Sequence, residues 1–150
     1  YNRTMELETW HDLASIYIKS SQWQDAEICL SKSETISGYS ASRLHLAGLL
    51  HQSKGLNKAA LTDYTNALAV DPSHVPSLIS TAVVLKQIGS HSPATIRSYL
   101  RGALRLDRMN PSAWHNLGLI YKEEGSALEA AECFQAAWSL EETEPIEPFR

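Results

Sequence analysis

Residues 111–137 read PSAWHNLGLIYKEEGSALEAAECFQAA, and their spacing decides the fold. Trp114, Leu117, Gly118 and Tyr121 fall at 0, +3, +4 and +7, the footprint of one buried helical face. Gly125 follows, and then a second apolar face made of Ala130, Phe134 and Ala137. The stretch reads as two helices joined by a tight turn. Working back along the chain, the quartet returns as Leu78-Thr81-Ala82-Leu85, Leu44-Ala47-Gly48-His51 and Trp10-Leu13-Ala14-Tyr17. Each has its own second face: Ile96-Leu100-Ala103, Ala60-Tyr64-Ala67 and Ala26-Leu30-Ser33. Repeats therefore start near Leu7, Ala41, Val75 and Pro111, at intervals of 34, 34 and 36 residues.

A helical period of this length makes the chain an all-α, right-handed α-solenoid of four helical hairpins. Residues 1–6 read as the end of a preceding segment, and the repeats as 7–40, 41–74, 75–110 and 111–140. Residues 141–150 form an acidic tail that Pro145 and Pro148 should keep out of a helix. Gly118, Gly48, Ala14 and Ala82 lie where the two helices of a hairpin cross, and Ala26, Ala60 and Ala130 oppose them from the partner helix. A large side chain there would push the helices apart. Trp10, Trp114, Tyr17, Tyr121 and Phe134 are expected to fill the volume between hairpins, with Trp114→Ala costing about 3–5 kcal/mol as a buried aromatic. Gly55, Gly89 and Gly125 mark the turns inside hairpins, where positive φ is expected. Asp71-Pro72 and Asn110-Pro111 read as helix-capping pairs between hairpins. The third repeat carries two extra residues around His91-Ser92, and its hairpin is expected to be splayed or shifted.

The period and signature residues resemble the tetratricopeptide repeat family over nearly the whole chain. The fourth repeat matches best, through Trp114, Leu117, Gly118, Tyr121, Gly125, Ala130, Phe134 and Ala137. The resemblance implies that the first helix of each hairpin lines a concave partner groove. Its central positions are His11, Ser15, His45, Leu49, Ile79, Val83, His115 and Leu119. Members that hold a chaperone's terminal carboxylate use a Lys, Arg and Asn clamp there; this chain lacks it, since Asn116 stands alone. The groove is expected to dock an apolar helix or extended segment, or to be covered by neighbouring repeats or the chain's own tail.

Composition narrows the function. The net charge of −4, with 43% hydrophobic and 20% charged residues among 150, gives no sign of nucleic-acid binding. No apolar run approaches the ~20 residues that a bilayer span requires. Cys29 and Cys133 stand three repeats apart, too far for a disulfide, and read as small buried side chains in a reducing compartment. No catalytic, cofactor or metal-ligating set is recognisable. His11, His45 and His115 recur at one repeat position, but adjacent hairpins stack roughly 10 Å apart, whereas zinc ligands sit about 2 Å from one centre.

One helix carries charge in a pattern. Arg97, Arg101, Arg105 and Arg108 form a basic stripe beside an apolar stripe of Ile96, Leu100, Ala103 and Leu104. Such a basic amphipathic helix is a candidate target for calmodulin. The plainer reading is a core helix with solvated arginines, because Ile96 and Leu100 are also repeat-core positions. Capture by calmodulin would require peeling the helix away.

A narrower resemblance rests on four runs: Tyr39-Ser40-Ala41-Ser42-Arg43, Asp71-Pro72-Ser73-His74-Val75-Pro76-Ser77-Leu78, Ala103-Leu104-Arg105-Leu106-Asp107-Arg108 and Glu147-Pro148-Phe149-Arg150. These resemble the C-terminal region of the plant "no pollen germination" calmodulin-binding family. That family is related to the animal tetratricopeptide-repeat-7 scaffolds of the phosphatidylinositol 4-kinase complex. The resemblance implies a non-catalytic cytoplasmic scaffold recruited to the plasma membrane. It implies calmodulin, a hyccin-like subunit or the kinase as partners. The alternative is a structural capping segment of a longer superhelix that docks a complex subunit in its concave groove without calmodulin.

Overall fold

The computed structural model describes residues 2–143. They form eight helices: α1 (Asn2–Lys19), α2 (Trp23–Ile36), α3 (Ala41–Ser53), α4 (Asn57–Val70), α5 (Val75–Ile88), α6 (Pro93–Leu106), α7 (Pro111–Glu123) and α8 (Ala127–Thr143). Consecutive helices pair as four antiparallel hairpins, and each hairpin packs on the next. The first helix starts at Asn2, so residues 2–6 belong to the first hairpin rather than to a preceding segment. Glu141, Glu142 and Thr143 form the last turn of α8, so the helix outruns the expected boundary at 140. The remainder of the tail, 144–150, lies outside the described residues.

The crossings are held by a ring over a glycine. A Cβ built on Gly118 would stand 2.6 Å from Cε1 of Phe134, and one on Gly48 would collide with the ring of Tyr64. Ala14 and Ala82, at the equivalent crossings, are buried, as are Ala26, Ala60 and Ala130 opposite them. Tyr64 is fully buried, and its hydroxyl donates to Gln52 Oε1 at 2.7 Å. The other aromatics depart from expectation: Trp10, Tyr17, Trp114, Tyr121 and Phe134 are only half-buried. They stand at hairpin margins, with Trp114 Nε1 donating to the Arg108 carbonyl at 2.8 Å. Truncating Trp114 therefore costs about 2–3 kcal/mol, below the fully buried range.

Three of the four turns share one design. In the second hairpin the Leu56 amide donates to the His51 carbonyl at 2.8 Å, closing the turn around Gly55 at φ 81°. The Ser126 amide does the same to Tyr121 at 2.9 Å around Gly125. In the first hairpin the Gln22 amide reaches Tyr17 at 2.8 Å, but the left-handed residue is Ser21, at φ 57°. A Cβ in that region costs about 1–2 kcal/mol. The third hairpin differs: one extra residue lengthens α5 to 14 and another makes the loop Gly89–Ser92. Its two helices pair less closely than those of the other hairpins. Ser92 caps α6, its Oγ accepting from the Thr95 amide at 3.3 Å, with Pro93 following.

Between hairpins, Asn110 caps α7 through a bond from the Ala113 amide at 3.1 Å. Asp71 does not cap a helix start. It accepts from the Ser73 amide at 3.0 Å, forming a local Asx turn, and α5 begins later, after His74. Cys29 and Cys133 are both free and buried.

Stacking is visible at one repeat position. Leu50, Val84 and Ile120 are 5%, 0% and 2% exposed, each packed against the hairpin before it. Ile16, their equivalent in the first hairpin, is 58% exposed. At the other end Trp138 matches Leu68 and the buried Leu104, yet is 62% exposed.

Two substitutions test this packing. Gly118→Ala should lose about 1–3 kcal/mol, because Phe134 must leave its seat. Ser21→Gly should gain up to about 1 kcal/mol by relieving the left-handed turn. Urea denaturation of each variant, followed by circular dichroism, measures both.

Candidate functional site

The expected concave groove is brought together only in part. His11 and Ser15 of α1 and His45 and Leu49 of α3 line one hollow of about 360 Å3 with Glu8, Asp12, Ser42 and His74. Val83 and Leu119, half-buried, lie farther along. Ile79 does not face the groove freely; it is buried in the core with Leu100 and Leu117. His115 is exposed and stands beside Phe134, ring centroids 5.6 Å apart.

His45 lines the hollow and is half-buried where the second and third hairpins meet. Its ring lies 5.5 Å from Tyr64 and 5.7 Å from His74, centroid to centroid. A hydrogen bond of 2.8 Å joins its Nε2 to Ser80 Oγ across the second and third hairpins. His74 Nδ1 is bonded in turn to Ser77 Oγ at 2.6 Å. Burial, with the neighbouring His74, holds the His45 pKa down to about 4. His74 and His11 are lowered too, again chiefly by burial. Tyr64 is pushed up by burial and stays protonated. Sequence reasoning missed this cluster because Tyr64 counts as core and His74 as an inter-hairpin residue, so the repeat template assigns neither to the groove.

The arginine helix α6 shows both of its faces. Ile96, Leu100, Ala103 and Leu104 are buried in the core shared with α5, α7 and α8. Arg97 is engaged: it pairs with Glu124, an interaction that raises its pKa, and its guanidinium lies 5.5 Å from the Tyr121 ring centroid. Arg101 donates to the Tyr121 hydroxyl. Arg105 and Arg108 are exposed, Arg108 lying beyond the end of α6.

The fold has a close match in the solved structure of pilF from Pseudomonas aeruginosa, with a TM-score of 0.82 at 22% identity, covering 97% of this chain and 65% of that one. The sequence profile described as "Tetratricopeptide repeat" matches residues 111–144, the fourth hairpin. The fourth hairpin is a tetratricopeptide repeat, and all four hairpins stack in the same α-solenoid fold. The chain is similar to the Arabidopsis thaliana protein NPGR2, with 54% identity over 98% of this chain and 20% of that protein. It is also similar to human tetratricopeptide repeat protein 7B, 30% identical over 95% of this chain and 17% of that protein. The solenoid thus spans about a fifth of the length of these relatives. No helix among the described residues is long and apolar enough to cross a membrane.

The half-buried His45 makes stability depend on acid. Because its folded pKa lies below the unfolded value near 6.5, its contribution is complete above pH 6.5 and is lost as pH falls toward 4. The loss amounts to about 2–3 kcal/mol. His45→Leu should flatten the unfolding free energy between pH 6.5 and 4, which denaturant titrations across that range will measure. An unchanged acid slope would show that other groups set it.

Proposed function

We propose that the solenoid is a non-catalytic, calmodulin-binding scaffold segment of a phosphatidylinositol 4-kinase assembly, cytoplasmic and recruited to the plasma membrane. The observation that carries this reading is the likeness to NPGR2, which runs along 98% of the chain and takes in every hairpin. It joins the resemblance to the calmodulin-binding plant family with the tetratricopeptide-repeat-7 scaffolds. Within this reading the concave face receives a hyccin-like subunit or the kinase through Leu49, Val83 and Leu119, with His11, Ser15 and His115 at its margins.

Calmodulin is assigned to α6, through Arg97, Arg101, Arg105 and Arg108 and the apolar Ile96, Leu100 and Leu104. Those apolar residues are core residues, so capture detaches the helix. Exposing three such side chains costs roughly 5–9 kcal/mol at about 1.5–3 each. A nanomolar helix target gains about 12 kcal/mol. The difference leaves calcium-dependent binding in the range of about ten micromolar or weaker.

A second reading, a capping segment that docks a subunit without calmodulin, draws on Ile16, an exposed apolar side chain at the position where Leu50, Val84 and Ile120 each pack on a preceding hairpin. Calcium-dependent titration of calmodulin onto the chain separates the two. Binding weakened by Arg101→Glu with Arg105→Glu, and strengthened by Leu117→Ala, which loosens the packing under α6, supports the first. Absence of binding leaves the capping reading. For the groove, Leu49→Asp with Val83→Asp should abolish capture of the hyccin-like subunit at unchanged helicity; retained capture would place that interface elsewhere.

A further inference from the structure

A hollow larger than the one at His11 and His45 lies away from the concave face. Between α6 and α8, whose backbones stay apart, lies an open groove of about 1060 Å3 floored by α7. That floor is apolar, made of Trp114, Leu117 and Tyr121, and Leu104 adjoins it from α6. One wall carries Arg101, Arg105 and Arg108, and the opposite wall carries Glu129 and Glu132. Among the described residues no ion pair within 4 Å crosses the groove, so the two rows of opposite sign face one another without being neutralised. Arg101 lies down on Tyr121, leaving Arg105 and Arg108 free on their side.

The geometry points to a docking site on this convex face for an amphipathic partner helix with an acidic row along one edge of its apolar stripe and a basic row along the other. The charge pattern selects that occupant. Arg101 and Arg105 are spaced i, i+4 on α6, with Arg108 just past its end, and Glu129 and Glu132 are spaced i, i+3 on α8, so both walls repeat at about one helical turn. A helix presents an acidic row, an apolar stripe and a basic row side by side, as at the flanks of a coiled-coil seam. An extended strand shows only two alternating faces and cannot offer three adjacent rows. The walls also fix direction, because a reversed helix would set its acidic row against Glu129 and Glu132. This site keeps α6 folded in place and rests on neither the calmodulin nor the concave-face reading.

The test uses an 18-residue synthetic helical peptide with a leucine stripe, glutamates along one edge and lysines along the other. It is titrated onto the chain by fluorescence anisotropy in the presence of a calcium chelator. Saturable binding is expected. Arg105→Glu with Arg108→Glu, which makes both walls acidic, should weaken it at least tenfold. The same variant should gain affinity for a second peptide with lysines on both edges. Ala136→Trp, which fills the groove, should abolish binding while circular dichroism stays unchanged. No saturable binding of the mixed-edge peptide, or equal affinity before and after the wall reversal, would overturn the proposal.

Discussion

Everything in this molecule depends on how closely two helices of a hairpin can cross. In the second and fourth hairpins that approach is set by an aromatic ring lying over a glycine Cα, Tyr64 on Gly48 and Phe134 on Gly118. Dense packing makes such contacts nearly all-or-none: a single methyl at the crossing has no free volume to enter. The crossing in turn sets where the next hairpin can rest, and so where Leu50, Val84 and Ile120 find their cover. The groove on either face of the solenoid is a by-product of that stacking, with its residue types free to vary.

The helical hairpins were legible because their cause is local and periodic. A spacing of 0, +3, +4 and +7 followed by a small-residue face leaves little alternative, and Gly55, Gly89 and Gly125 do adopt left-handed backbone at the turns. Ser21 escaped notice because a serine in that conformation leaves no mark in composition. Likewise Asp71-Pro72 has the same wording as a cap, but hydrogen bonding within the turn absorbs it. The burial of the aromatics was overread, since repeat position tells which way a ring points but not how much neighbouring mass covers it.

The binding surfaces were less legible for a different reason. They depend on what separate hairpins present to one another across space. The template places His45 on a groove wall, yet Ser80 and His74, from outside that template, enclose it. The arginine row of α6 was visible as a stripe, whereas its opposition to Glu129 and Glu132 appears only once α7 is laid between α6 and α8. Charge patterns within one helix can be read from spacing; charge patterns between helices need the stack.

Among the described residues, the contact between the second and third hairpins is the junction whose side-chain links involve no ion pair. There His45 and Ser80 meet by a part-buried hydrogen bond, and Gln52 donates to Gln87 at 3.0 Å. The flanking junctions each carry ion pairs: Lys54 to Glu27 at one, Lys86 to Glu123 and Arg97 to Glu124 at the other. Attraction between charges near the surface is screened as ionic strength rises, while a bond between uncharged partners carries no such dependence. Salt therefore weakens the linkage of the first and last hairpins and spares that of the central pair.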